Sequence, residues 1–281
     1  MKSTFASNSL WAVCFAAALL SFASIAHAQG EGITNQTQMG TAGGMTDQLA
    51  YGNLGAQVAR EQNDAFQAFT KERDPAKKIQ KGREFLHKYP TSLLAEQVNA
   101  GLMDTYRMQA DWKNEYNYAD QALALNPNDV DVLATVAWTI PHVYQPTDPD
   151  ANEQLDKAEK YSKHAIEVLS TIQKPHDMND AEFAAAKAKR ANQAHSALGL
   201  VYFRRNDYEN SAKELEQSTK GNAAPDQTDF YVLGVDRMHL SRFSDAAEAF
   251  RGCGGIAGAL QDPCKKNAAA ADAQAANTKT Q

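Results

Sequence analysis

Apolar and small residues recur three and four positions apart along most of this chain, the spacing that gathers them on one face of a helix. Between Phe230 and Cys253 the pattern is clear. Phe230, Leu233, Gly234 and Arg237 share one face, and Phe243, Ala246, Phe250 and Cys253 share a second. The intervening HLSRFSD is where the chain reverses, and Ser244 stands where a helix N-cap is expected. Small residues (Gly234, Ala246) oppose bulky ones, as two close antiparallel helices require. The same design is written once more from His195 to Ser218. Leu198 and Gly199 align with Leu233 and Gly234, Tyr208 with Phe243 and Leu215 with Phe250, each 35 positions apart. A helix pair of this kind leaves an apolar face uncovered, and a fixed period in this range marks a stack of such pairs.

These residues resemble the tetratricopeptide repeat. The last copy carries the pattern at Leu233, Gly234, Phe243, Ala246, Phe250 and Cys253. The preceding copy carries it at Leu198, Gly199, Tyr202, Tyr208 and Leu215, with Ser211 and Ser218 at the two small-residue positions. Upstream the match erodes. Leu102, Tyr106, Ala122, Leu123, Leu125 and Pro127 form another copy, closing in ALALNP, with Met103 where the family prefers Gly. A further copy runs from Val130, with Leu133, Val136 and Ala137 on its first helix and Ala158, Ala165 and Ile166 on its second. It holds an insertion at residues 141–150, PHVYQPTDPD, too proline-rich to be helical. Residues 76–90 read as a helix stopped by Pro90, ending like the FL-x-KYP helices of bacterial envelope repeat proteins.

The resemblance implies an all-α fold: a right-handed superhelical α-solenoid of roughly five antiparallel helix pairs over residues 58–254. It also implies a concave groove lined by the first helix of each pair. The helical phase then assigns Ser196, Leu200, Phe203, Tyr231, Val235 and Met238 to that groove from the well-formed copies. Asp104, Arg107, Ala134 and Trp138 join them from the eroded ones. Such an aromatic and aliphatic surface suits an apolar peptide or helix of another protein. The alternative is that Phe203 and Trp138 bury against the next pair as core. The family's clamp for a C-terminal carboxylate uses basic and Asn residues. Ser196, Leu200 and Val232 stand there instead, so that activity is not carried over.

The ends of the chain read differently. Lys2, an apolar stretch from Leu10 to Ile25 and the small-x-small site Ala26-His27-Ala28 make residues 1–28 a secretory signal peptide, too short in its apolar run for a stable membrane anchor. The mature protein is therefore expected in a periplasm or secreted. Residues 29–57, rich in Gly, Gln, Thr and Asn, read as a flexible lead-in, and residues 265–281 as a disordered tail. Loss of the signal leaves Cys253 and Cys264. In an oxidising compartment the pair is expected to form a disulfide that staples residues 255–264 as a cap on the last repeat. The alternative is a small core Cys253 with Cys264 free.

The chemistry of the chain points away from catalysis. Its histidines are scattered, no phosphate-cradling glycine loop occurs, and carboxylates are spread over helix faces. A formal net charge of −6 and the lack of a basic, aromatic-laced stripe argue against nucleic acid as a main partner. Asp148, Asp150, Asn152, Asp156 and Glu159 fall at the ligand spacings of a calcium loop, but Glu153 replaces the obligatory Gly. The competing reading makes Asp150 or Asn152 the cap of a helix carrying Leu155, Ala158, Ser162, Ala165 and Ile166. No cofactor or metal is expected. The sequence thus predicts an exported, non-catalytic scaffold that binds a protein or peptide. A module for a cell-wall glycan or small ligand, or an enzyme with an unrecognised site, are the alternatives.

Overall fold

The computed structural model describes the backbone of residues 48–278 and the side chains from residue 57 onward. The signal segment and the lead-in as far as residue 47 lie outside the described residues. Eleven helices and no strand occur among the described residues. They form five antiparallel pairs: α1 (Gln48–Thr70) with α2 (Pro75–Lys88), α3 (Ala95–Met108) with α4 (Trp112–Leu125), α5 (Val130–Val143) with α6 (Ala151–Thr171), α7 (Asp180–Arg204) with α8 (Tyr208–Thr219), and α9 (Gln227–His239) with α10 (Phe243–Gly255). An eleventh helix, α11 (Gln261–Thr278), lies along α10. None of these helices is long and apolar enough to cross a membrane.

Short polar residues start most of the helices. Asp74, Asp111, Asp129, Asn179, Asp207 and Asp226 each accept a hydrogen bond from a first-turn N–H of α2, α4, α5, α7, α8 and α9, satisfying donors that the helix cannot satisfy itself. Three of the pairs reverse through one shared turn. Ala110, Asn206 and Ser241 take left-handed backbone angles (φ 57°, 62° and 58°). The N–H of the next residue, Asp111, Asp207 or Arg242, donates back to the carbonyl of Tyr106, Tyr202 or Arg237. The second helix of the last pair starts at Phe243 with Arg242 as its cap residue, and no side chain caps it. Ser244, expected as that cap, lies inside the first turn.

Small residues let paired helices touch. A Cβ on Gly199 of α7 would fall 2.6 Å from Leu215 of α8, and one on Gly234 of α9 would fall 2.6 Å from Phe250 of α10. The repeat signal in the sequence is thus a ridge of one helix seated in a notch of its partner. One continuous core joins the first three pairs through Phe69, Phe85, Leu102, Tyr118, Val136 and Leu155, and Val201 of α7 extends it. Two smaller clusters then hold α7 to α10 together.

Four local expectations need correction. First, α1 begins at Gln48, inside the supposed lead-in. Second, α5 continues through Pro141 to Val143, so only the later part of the 141–150 insertion is irregular. Pro141 lies buried in the last turn, and its carbonyl, an acceptor the helix end leaves open, takes two bonds from Arg204 at 3.2 and 2.9 Å. Third, residues 265–278, expected as a disordered tail, continue α11. Cys264, Ala268 and Ala271 are buried against Phe250 and Cys253, so small side chains pack where bulky ones were sought. Fourth, the side-chain cap expected for α6 is not formed, although Asp156 and Glu159 lie on that helix as the helical reading has it, where they pair with Arg205. Asp150 precedes that helix, but its carboxylate accepts from Gln154 at 2.8 Å and caps no backbone N–H.

Cys253 and Cys264 are bonded, with Cα atoms 5.8 Å apart. Gln227 of α9 braces the same turn. Its amide donates to the carbonyls of Cys253 and Ile256 (3.3 and 2.8 Å) and accepts from Leu260 N–H (3.2 Å).

Candidate binding groove

The first helices α3, α5, α7 and α9 carry all ten residues assigned to the groove, and the structure divides them. Ala134, Ser196, Leu200 and Val235 are buried, at 0–4% exposure. They cannot line an open groove. Ala134 is closed in with Leu133, Ala165 and Ala194 because α5 packs along α7 as well as α6. Leu200 lies between α7, α8 and α9 with Ala212, Leu215 and Val232. Val235 packs on Ala246, Ala247 and Phe250. Ser196 donates to the buried carboxylate of Asp229 at 2.7 Å.

Six assigned residues keep access to solvent: Asp104, Arg107, Trp138, Phe203, Tyr231 and Met238. Four helices carry them. On α3, Arg107 pairs with Asp104 at 3.3 Å. On α5, Trp138 stacks on His142, ring centroids 3.8 Å apart. On α7 and α9, Phe203, Tyr231 and Met238 rest together, half-buried, on the apolar cluster of the last pair. Tyr231 meets Phe250 edge-on at 5.9 Å. Tyr208 extends this strip, edge-on to Phe203 at 6.3 Å and stacked on His239 at 4.0 Å. The strip is aromatic, partly exposed and seated on rigid helices.

Several polar groups were not foreseen. The side chain of His142 is 8% exposed; its Nδ1 lies 2.7 Å from the Trp138 carbonyl and its Nε2 3.8 Å from Asp226. Burial lowers its pKa, with Asp226 opposing the shift. Glu115 of α4 is fully buried and neither carboxylate oxygen has a hydrogen-bond partner, since the neighbouring Thr139 hydroxyl turns to the Thr135 carbonyl at 3.1 Å. Burial pushes Glu115 up to about 8. Burial, then Asp129, pushes Glu96 of α3 to about 8. Asp229 and Asp236 of α9 are buried as well. Raised carboxyls often mark active sites. Here Glu115 is sealed inside the stack, and Asp229 and Asp236 are closed in by serine hydroxyls between α7, α8 and α9, with no nucleophile–base pair beside them. No cluster of three or more potential metal ligands occurs among the described residues. The sequence signal for the aspartates was faint: Ser211 and Ser218 standing where the repeat uses alanine.

Helix pairs stacked through Gly–Leu and Gly–Phe notches define the tetratricopeptide-repeat fold, an α-solenoid. Among solved structures the chain is similar to PilW, described as a widely conserved type IV pilus biogenesis factor, at 14% identity over 78% of this chain and 88% of that one, with a TM-score of 0.51. It also matches TTC0263, a thermophilic TPR protein of Thermus thermophilus, at 13% identity over 75% of this chain and 98% of that one, with a TM-score of 0.47. No family model matches the chain, and no curated protein matches its sequence.

Proposed function

We propose that this protein is an exported, non-catalytic scaffold that works in the cell envelope and binds another protein through the aromatic strip of its last two pairs. One observation carries the reading. Phe203, Tyr231 and Met238 are half-exposed on adjacent first helices, on a surface continuous with the apolar core. Aromatic side chains seated on rigid elements lose little entropy on binding and are favoured hot spots. A partner segment with an apolar face, helical or extended, matches them. The signal-like residues 1–28 supply the export half of the reading, and the fold likeness to a pilus biogenesis factor makes envelope assembly the place to seek the partner.

Affinity capture from envelope extract with the wild-type chain and with Tyr231→Ala/Met238→Ala tests the strip. A specific partner should be recovered by the wild type and lost at least tenfold by the variant, while Trp138→Ala on α5 recovers it unchanged. Equal recovery by wild type and strip variant would overturn the assignment. Sequencing the amino terminus of the protein from a periplasmic fraction tests export, with Gln29 expected first. Intact residues 1–28 on a cytoplasmic chain would refute it.

A further inference from the structure

Asp229 and Asp236 lie two helical turns apart on α9, and Ser218 and Ser211 lie two turns apart on α8. The helices run antiparallel, so the pairs meet in register. Ser218 Oγ donates to Asp229 Oδ2 at 2.8 Å, and Ser211 Oγ to Asp236 Oδ2 at 2.6 Å. Ser196 of α7 donates to Asp229 Oδ1 from the other side. All five side chains are buried, with Asp229 at 2% and Asp236 at 0% exposure. Two carboxyls therefore sit dry in the joint between the fourth and fifth pairs.

Hydroxyl donors lower the cost of a buried negative charge but do not supply a counter-charge. The nearby cations are committed elsewhere. Arg237 of α9 pairs with Glu216 of α8 at 2.9 Å and donates to the Asp245 carbonyl of α10 at 3.0 Å. Arg242, before α10, pairs with Glu209 of α8 at 3.0 Å, and His195 of α7 with Glu214 of α8 at 2.7 Å. The other charges acting on the two carboxyls are of like sign: Asp226 on Asp229, and Asp207 on Asp236. His142 of α5 faces Asp226, and burial lowers its pKa, favouring the neutral ring, while Asp226 opposes the shift. Asp236 Oδ1 accepts no hydrogen bond at all.

We propose that the α8–α9 joint is a proton-operated hinge, closed while Asp229 and Asp236 carry protons and loosened when they ionise. Burial, reinforced by Asp226 and Asp207 and opposed by the serines, raises Asp229 to about 7 and Asp236 to about 8. In an opened joint both return toward roughly 3.9. The closed joint thus binds more protons than the open one above pH ~4. Its stability is complete below that pH and is lost as pH rises through 7 and then 8, the reverse of an aspartate held by a salt bridge. Tyr231 and Met238 ride on α9 while Phe203 stays on α7, so opening parts the aromatic strip.

Hydrogen exchange of the full mature chain, read by mass spectrometry on α8 and α9 peptides and corrected for intrinsic rates, tests the hinge. Opening of these peptides should rise at least about tenfold from pH 6 to pH 9, the linkage limit for two such groups being roughly a thousandfold. Peptides of α2 serve as an internal reference, since Glu96 and Glu115 put raised carboxyls on α3 and α4. Asp229→Asn/Asp236→Asn keeps acceptors for the serines and removes both ionisations, so its α8–α9 protection should become flat with pH and exceed wild type at pH 9. Should the double variant not fold, carbon-detected titration of the wild-type carboxyls still decides. Values below 5 for both, unchanged wild-type protection between pH 6 and 9, or a double variant that keeps the wild-type response would each overturn the hinge.

Discussion

Replacing Gly199 by alanine isolates the packing rule that builds the repeats. On an exposed helix this change stabilises by about 1 kcal/mol, because alanine loses less backbone entropy. At Gly199 the new methyl would stand 2.6 Å from Leu215 Cγ, 2.8 Å from its Cδ2 and 3.3 Å from its backbone nitrogen. Leu215 cannot swing aside. It is fully buried among Leu200, Ala212, Val232, Leu233 and Ala249, and the tightest contact is at its branch point rather than a flexible tip. Relief requires α7 and α8 to separate. Overpacking of this kind costs about 1–3 kcal/mol, and the rigid surroundings favour the upper half of that range. Net of the helix gain, Gly199→Ala should destabilise by about 1–2 kcal/mol. Leu215→Ala alone should cost about 2–5 kcal/mol through its cavity. In the double variant the added methyl enters that cavity, so the pair should be less destabilised than the sum by at least about 1 kcal/mol. Urea unfolding followed by circular dichroism, with the slope compared among variants, measures all three. A Gly199→Ala chain as stable as wild type, or strict additivity in the double variant, would refute the notch.

Ala110→Gly should raise stability by about 0.5–1 kcal/mol, because a left-handed alanine costs about 1–2 kcal/mol and glycine gives part of that back as entropy. Thermal melts should show a smaller gain for Asn206→Gly, since asparagine tolerates the same angle better. Ala271→Asp should strip exchange protection from residues 267–278 by placing a charge where α11 meets α10, while the disulfide still holds the first turn. Reducing the disulfide should weaken the docking of the whole helix by about 2–3 kcal/mol. An unprotected 267–278 segment in the oxidised wild type would show that α11 is not docked.

Where side chains meet their own partner helix, the sequence was readable. The spacing of Gly199 and Leu215, echoed at Gly234 and Phe250, encodes contacts within one pair, and those contacts are present. Cys253 and Cys264, expected as a pair from the loss of the signal cysteine, stand with Cα atoms 5.8 Å apart. The alanine-rich tail was misread because its composition carries no bulky apolar signal. Alanine packs well only when a close, smooth face such as that of α10 is offered, and no sequence window contains that face. The residues assigned to a groove divide by burial. Phe203, Tyr231 and Met238 stay accessible together, while Ser196, Leu200 and Val235, on the same helices, turn inward.

That division has one physical origin. Helical periodicity states the angle of each residue about its own axis, and from it follow the helices, their pairing and the stack. A first helix in a solenoid is then enclosed by its partner and by the pairs before and after it, as α7 is by α5, α6, α8 and α9. Only a narrow arc remains for solvent. Where that arc falls depends on how neighbouring pairs rotate against each other, a property of no single segment. The order of residues therefore dictates that this chain stacks helix pairs and how each pair closes. Packing between pairs is what turns Phe203, Tyr231 and Met238 outward, encloses Asp229 and Asp236 without a cation, and lays α11 over the end.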